Sequence, residues 1–539
     1  MSNLSKLKRE RMLSFLEKIK EEHKDDDDML IALGEIESEL NAKKYGLVWE
    51  QHEEAVDVQM RDNIPVFTEV PEREIAAAPG ENYNYLLEGD NLHSLRLLEK
   101  THTGRIDVIY IDPPYNRGKT DFKYDDDYVA KEDAFRHSKW ISFMQSRLEI
   151  GRNLLSEQGL MFISIDDNEI APLKMLCDEV FGVDCFINLF VWQRNSSAKT
   201  EKGKFTINTE YVLLYSKSGR YTLNPAYKPL SVASQKLFKF DDHDGRGKYQ
   251  TVSLQKPKDP GPETTYDYYD NNGKKWKCPP KGWRMKQEKI KALENDNRLV
   301  LTGKSLRVKD YWGERDNEGK RIDTLWNDLP QNTAGSGELE AIMGRPGTFD
   351  NPKPTDLIMR CLTIGNKNGY VLDFFAGSGT TGHAVMKLNS QDGGHRRFIL
   401  CTNNENNICE SVTYERLKRF IGGYGAVSGI SANLKYYRTD FVAKDADDIS
   451  EELLAHIAEM IQLEHGVKLD GKEYLMVMSD DEADALEQHW TDYPNVKALY
   501  VSKNVLLTKA QNALFKNAEI HIIPDNYFKF ELKEVGEAW

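Results

Sequence analysis

The run Arg105-Ile-Asp-Val-Ile-Tyr-Ile-Asp112 stops on Pro113-Pro114. It is short, apolar and β-branched, which predicts a buried strand and not a helix. Proline cannot donate to a ladder, so the two prolines take the chain out of the sheet there. A second run, Tyr370-Val-Leu-Asp-Phe-Phe375, ends in a glycine loop followed by a helical pattern from Thr380 to Leu388. Strand-type runs also occur at Leu160–Ile165, Ile187–Gln193, Glu210–Tyr215 and Arg397–Thr402, with helical patterns at 132–155, 354–364 and about 412–420. Asp166-Asp-Asn168 offers an N-cap to a helix after the first of these strands. Strands alternating with helices imply a parallel sheet covered on both faces, an α/β fold.

Three stretches depart from that alternation. Residues 1–80 have helical spacing interrupted by Asp25-Asp-Asp-Asp28. From about 222 to 345 periodicity weakens and Pro, Gly, Asn and charge dominate, which predicts an inserted domain. Residues 441–539 alternate again and are expected to form a separate small α/β module.

Charge follows the same division. The net charge is −15, unpromising for a nucleic-acid binder, yet residues 1–80 carry −8 and 440–492 carry −13. With +1 over 493–539, the stretch 81–439 is left with +5. Its densest basic patch spans 274–309, including Lys274, Lys275, Arg284 and Arg307, with Arg315 just beyond. Trp276, Trp283, Tyr311 and Trp312 interleave with it, a mixture suited to phosphate contact and base stacking. A solvated helix face with a few packing tryptophans is the plainer account of the patch taken alone.

No run approaches the ~18 apolar residues of a membrane span, and the charged start Met1-Ser-Asn-Leu-Ser-Lys-Leu-Lys-Arg lacks a signal-peptide core. Six cysteines without a Cys-x-x-Cys pair support neither a disulfide scaffold nor a zinc ribbon, and no metal site is expected. The expectation is a cytoplasmic protein.

Two segments carry chemistry. Asp112-Pro-Pro-Tyr115 stands at the carboxyl end of a strand, where ligands of open α/β sheets sit, and combines a carboxylate, a rigid backbone and an aromatic ring. Asp373-Phe-Phe-Ala-Gly-Ser-Gly-Thr380 stands at a strand-to-helix junction, where glycines admit a ligand and a helix N-terminus offers N–H groups. The third glycine of a dinucleotide fingerprint is missing, and no Gly-Lys-Ser/Thr of an ATP loop follows.

Together these segments resemble the amino-methylating DNA methyltransferases that use S-adenosylmethionine, in the permuted β-group order with the catalytic motif first. Glu88-Gly-Asp-Asn-Leu92, His137-Ser-Lys-Trp140, Ser164-Ile-Asp-Asp-Asn168, Thr209-Glu-Tyr-Val-Leu-Leu-Tyr215, Leu325-Trp-Asn-Asp328 and Phe349-Asp-Asn-Pro-Lys-Pro354 are similar to type III restriction–modification Mod subunits. The resemblance spans roughly residues 30–440. It implies a Rossmann-like methyltransferase sheet in permuted order, its halves at 81–222 and 346–440, around a target-recognition domain at 223–345. A helical N-terminal region (1–80) and an acidic α/β module (441–539) flank it.

The resemblance further implies roles. Asp112, Pro113, Pro114 and Tyr115 would act on an adenine flipped from duplex DNA: Tyr115 stacks on the ring, while the Asp112 carboxylate and Pro113 carbonyl accept the amino hydrogens. Asp373, Phe374, Ala376, Gly377, Ser378, Gly379 and Thr380 would form the cofactor floor, with Asp90 and Asn91 near adenosine and Phe349, Lys353 and Pro354 near the methionine end. Lys274, Lys275, Arg284, Arg307 and Arg315 would contact DNA. The family's ribose-binding acid has no clear counterpart, since the strand ends Leu400-Cys-Thr-Asn-Asn-Glu405. N4-cytosine methylation, an orphan methylase without a nuclease partner, methylation of RNA or protein, and a catalytically idle DNA-recognition subunit are the competing readings. With no ATPase or nuclease motif apparent, cleavage would need a separate Res-type chain. A homodimer is expected.

Overall fold

The computed structural model describes residues 4–24, 26–41, 49–118, 122–124, 127–196, 205–228, 236–258, 261–301, 305–314, 320–469 and 471–536. Its centre is one large sheet. From one edge to the other run Asn63–Glu69, Asn433–Ala443, Tyr83–Glu88, His395–Thr402, Asn368–Asp373, Ile106–Ile111, Leu155–Ile165, Thr209–Ser216, Phe186–Gln193 and Leu325–Trp326. The six from Asn433–Ala443 to Leu155–Ile165 pair in parallel, and Thr209–Ser216 then reverses direction.

Both faces are covered, as continuous apolar strands require. Ile109 and Ile111 pack on one face with Leu95 and Leu98 of the Asn91–His102 helix, Leu148 of Arg136–Leu154 and Leu173 of Ile170–Phe181. Val108 and Tyr110 point the other way, toward Ile358 of Thr355–Ile364, Ala384 of Thr380–Asp392 and Leu417 of Glu415–Gly422. The Ile170–Phe181 helix is not capped by Asp166-Asp-Asn168: Asp166 instead accepts from the Asn168 backbone, and Glu169 is the N-cap residue. Among the described residues, no helix is long and apolar enough to cross a membrane.

The sheet reaches past the limits expected at 80 and 440. Asn63–Glu69, within the stretch read as helical, is an edge strand, and the edge is where a sheet tolerates Pro65. Its partner Asn433–Ala443 extends beyond 440, and the helices Ile449–Leu454 and Ile457–His465 bury Leu453, Ile457, Met460 and Ile461 in the central core. Leu325–Trp326 likewise joins the central sheet instead of the insertion. The insertion itself is built of short antiparallel strands and the Gln287–Asn295 helix around a small core.

Candidate active site

Ile106–Ile111 and Asn368–Asp373 lie side by side and parallel, with Leu372 opposite Ile109. The chain leaves them in opposite directions, toward Leu155–Ile165 from one and toward His395–Thr402 from the other. Such a switch point opens a crevice at the strands' carboxyl ends. It brings the Asp112 turn and the glycine loop to one edge.

The Asp112–Tyr115 turn is held from behind. Fully buried Trp140 donates its indole N–H to the Pro114 carbonyl at 2.7 Å. Asn116 adopts φ 55° and donates to the Glu169 carboxyl at 2.6 Å, an oxygen shared with His137 Nδ1 at 2.6 Å. Burial pushes the Glu169 pKa up to about 8. The Tyr115 hydroxyl donates to Asp112 Oδ1 at 2.7 Å and lies 3.3 Å from Glu210. Arg117 sits 4.9 Å from the centroid of the Tyr115 ring, so a base stacking there meets a guanidinium first.

Lys353, expected near the methionine end of a cofactor, reaches into the Asp112 turn. Its ammonium lies 2.8 Å from both Asp112 oxygens, 2.8 Å from the Tyr115 hydroxyl and 3.5 Å from Glu210. A buried ammonium requires carboxylate partners, and these are the ones within reach. Burial pulls its pKa down, but Asp112 and Glu210 outweigh that and hold it above the ordinary lysine value.

The glycine loop follows Asp373, whose carboxylate accepts from the Phe375 N–H at 3.0 Å and from the Thr381 hydroxyl. Burial pushes Asp373 up to about 7. Gly377 and Gly379 take φ 48° and 75°, and a Cβ on Gly377 would stand 3.1 Å from the Phe349 ring. Phe349 therefore flanks the loop. Phe374 does not: its side chain is wholly buried in the core, and only its carbonyl faces Asn91, which donates to it at 2.7 Å. Ser378 and Thr380 turn their hydroxyls toward buried Arg416, at 3.1 and 2.7 Å. Burial lowers the Arg416 pKa to about 10. Ala376 and Pro354 are buried at the rim of the loop, Pro354 as N-cap of Thr355–Ile364.

Asp90 caps the Asn91–His102 helix through the Leu92 N–H at 2.7 Å. Fully buried Arg147 ties this corner together, donating to Asn91 at 2.6 Å and to Glu54 at 2.6 Å, with Asp90 at 3.4 Å. Sequence reasoning missed Arg147, Arg416, Glu169 and Glu210. Glu210 alone carried a signal, an acid opening an otherwise apolar strand. At the end of His395–Thr402, Thr402 bonds the Asn403 carbonyl, Asn404 donates to Glu88, and Glu405 follows in a short helical turn.

The basic insertion differs from expectation in its aromatics. Trp276, Trp283 and Tyr311 are buried packing residues, unavailable to stack on bases. Much of the positive charge is paired: Lys275 with Asp267, Lys286 with Glu263, Lys309 with Asp242, and Arg298 with Asp296 and Glu314. Arg307 is committed to Thr251 at 2.8 and 2.6 Å. Lys274 and Arg284 are exposed, the first over the Trp276 ring and the second held by the Gln255 carbonyl. Arg315 lies outside the described residues.

Residues 106–422 match the family model of the N6/N4 DNA methylases. The type III restriction–modification StyLTI Mod subunit of Salmonella typhimurium is 36% identical over 60% of this chain and 52% of its own length. The EcoPI Mod subunit of Escherichia phage P1 is 28% identical over 92% of this chain and 84% of its own. The chain thus spans about half the length of the Salmonella relative. Among solved structures, the PvuII cytosine-N4-specific DNA methyltransferase superposes with a TM-score of 0.35 at 13% identity, over 72% of this chain and 98% of that one.

Proposed function

The chain belongs to the N6/N4 DNA methylase family, and on that premise we propose that it moves a methyl group from S-adenosylmethionine to the exocyclic N6 of an adenine turned out of duplex DNA. The observation that carries the reading is the placing of Asp112-Pro113-Pro114-Tyr115 and the Asp373–Thr380 loop on adjacent parallel strand ends. Its setting is the cytoplasm, as the modification subunit of a type III restriction–modification system, the designation its Salmonella and phage relatives carry. Double-stranded DNA, a second copy of the chain and a Res-type helicase–nuclease are the proposed partners.

The residues present suit the cofactor. The loop turns through two left-handed glycines, and a Cβ at Gly377 would crowd the space beside Phe349. The N-terminus of the Thr380–Asp392 helix suits a carboxylate, and Asp90, which caps the Asn91–His102 helix, is the residue proposed to meet adenosine. When bound, S-adenosylmethionine supplies an electrophilic methyl on a sulfonium. An adenine amine is a weak nucleophile because its lone pair is delocalised into the ring. Asp112 and the Pro113 carbonyl accept its two hydrogens and draw nitrogen toward tetrahedral geometry, concentrating electron density where the bond forms. The Pro114 carbonyl is already taken by Trp140, which fixes the turn. Positioning supplies much of the rate, with no covalent enzyme intermediate.

Nucleoside mass spectrometry of DNA from cells with and without the gene tests the reading. N6-methyladenine is expected with the wild-type gene and is lost with Asp112→Ala. N4-methylcytosine would replace adenine by cytosine as the target. Purified Asp112→Ala should still bind S-adenosylmethionine by isothermal titration. Residual turnover within about tenfold of wild type, or ~1.4 kcal/mol in barrier, is too small a loss for the assigned role.

A further inference from the structure

We propose that Lys353 is a positioning residue for Asp112, the carboxylate that accepts an amino hydrogen of the base, balanced by Glu210, and not a ligand of the cofactor; the inference rests on the methylation reading above. Lys353 is gripped by its backbone. A Cβ on Gly335 of the Asn332–Met343 helix would fall 2.1 Å from the Pro352 carbonyl, so helix and lysine segment are in direct contact. Its side chain then crosses to the catalytic turn and reaches both Asp112 oxygens, the Tyr115 hydroxyl and Glu210. An ammonium has three hydrogens, and these acceptors use all of them. None is left for a cofactor carboxylate.

The bonds also decide how Asp112 faces the base. Oδ1 accepts from both Lys353 and Tyr115, which fills its two lone-pair directions. Oδ2 accepts from Lys353 and keeps one direction open. The amine is therefore received at Oδ2, in an orientation set by the lysine and the tyrosine together. Glu210 supplies the second negative charge and is itself held by Arg194 at 2.8 Å, with Arg117 at 3.6 Å. Tyr110, on the strand that leads into Asp112, and Asp373, at the end of the adjacent strand, are further titratable groups near Asp112.

Three variants test this: Lys353→Met, Lys353→Arg and Glu210→Gln. The measurements are S-adenosylmethionine affinity by titration calorimetry, kcat and KM on duplex DNA, and the pH profile of single-turnover methylation. Lys353→Met should bind the cofactor within about twofold of wild type yet lose on the order of 100-fold in kcat, the scale of a misplaced reacting group. Lys353→Arg should recover part of that loss. The acid limb of the profile should move to higher pH in Lys353→Met, where two carboxylates crowd one phenol without a cation, and to lower pH in Glu210→Gln. A Lys353→Met protein that loses cofactor affinity tenfold while keeping its acid limb overturns the proposal and returns the lysine to the cofactor. Should Lys353→Met fail to fold, Glu210→Gln keeps the lysine, and an unmoved acid limb there overturns the proposal equally. Wild-type enzyme that methylates no adenine removes the methylation reading itself, a different result from either.

Discussion

Asp373 and Arg147 illustrate how single buried groups prepare this edge of the sheet. Asp373 spends its carboxylate on the loop backbone and on Thr381, and burial raises its pKa from the usual carboxylate value to about 7. A carboxyl raised on folding releases its proton sooner in the unfolded chain. The folded state is therefore favoured below the unfolded pKa near 4 and loses that advantage as pH rises to about 7. Across that window wild type should lose stability relative to Asp373→Asn at roughly 1.4 kcal/mol per pH unit. Chemical denaturation of the two proteins at pH 4.5, 5.5 and 6.5 measures it, and parallel curves would contradict the assignment. Arg147 acts differently: it holds Asn91, and through Asn91 the Phe374 carbonyl. Breaking a buried charge network by removing one partner costs roughly 3–5 kcal/mol, so Arg147→Met should lower both stability and cofactor affinity.

The glycine loop is the element on which a local test is cleanest. Gly377 has φ 48° and a Phe349 ring 3.1 Å from where a Cβ would stand. Gly377→Val adds a β-branched side chain in a conformation that such residues rarely adopt, costing on the order of 1–3 kcal/mol locally. The strand before the loop and the helix after it are held by their own cores, so the protein should stay folded by circular dichroism and fail to bind S-adenosylmethionine. Normal binding by this variant would place the cofactor elsewhere. Elements of this kind were legible in sequence because local chemistry and tertiary role coincide: the β-branched run ending on Pro113-Pro114 favours a strand that stops there, and the glycines before Thr380 permit the left-handed turn the loop takes. The insertion was not, since strands of two residues such as Tyr268–Tyr269 and Lys275–Trp276 carry almost no period. There exposed Lys275 beside buried Trp276 is the alternation of a half-covered strand, although composition alone reads as a stacking surface. Lys353 was legible as a residue but not as a contact, because its partners lie 241 and 143 positions away in sequence. For DNA contact the proposal now rests on exposed groups. Lys274→Ala should weaken binding to all sequences and flatten its salt dependence, whereas Arg284→Ala should relax base choice by roughly 1–3 kcal/mol if that side chain reaches a base. Methylome sequencing of strains carrying each variant separates the two effects.

At the scale of the whole molecule the acidic tail ceases to be an appendage. Leu453, Ile457, Met460, Ile461 and Leu463 lie in the same core as Tyr85, Leu87 and Leu95, and Tyr500, Ile523, Phe528 and Leu532 of the terminal module join it. Polar ties reinforce the seam: Lys100 pairs with Glu531, Lys444 with Glu534 at 2.8 Å, and Arg105 donates to the Glu464 carbonyl at 2.9 Å. The acid-rich sequence therefore conceals an apolar inner face, and its negative charge is turned outward, away from the core. That arrangement decides what truncation does. Ending the chain at 440 removes six large side chains from the core between Leu453 and Leu463 alone: Leu453, Leu454, Ile457, Met460, Ile461 and Leu463. At roughly 2–5 kcal/mol for each large-to-small loss, the sum equals or surpasses the ~5–15 kcal/mol of a typical domain. The 1–440 fragment should therefore accumulate as aggregate, with no cooperative thermal transition. A tail contributing only charge and solubility would leave a folded fragment with wild-type melting behaviour and cofactor binding. Substituting acids of the Asp480–His489 helix that lie outside its buried face, for instance exposed Asp481→Asn with half-buried Glu487→Gln, probes the charge. That variant should fold, bind S-adenosylmethionine and hold DNA as wild type does, because its side chains face neither the glycine loop nor the insertion. A change in DNA affinity from this substitution, measured at two salt concentrations, would show that the acidic face lies close enough to the duplex to repel it.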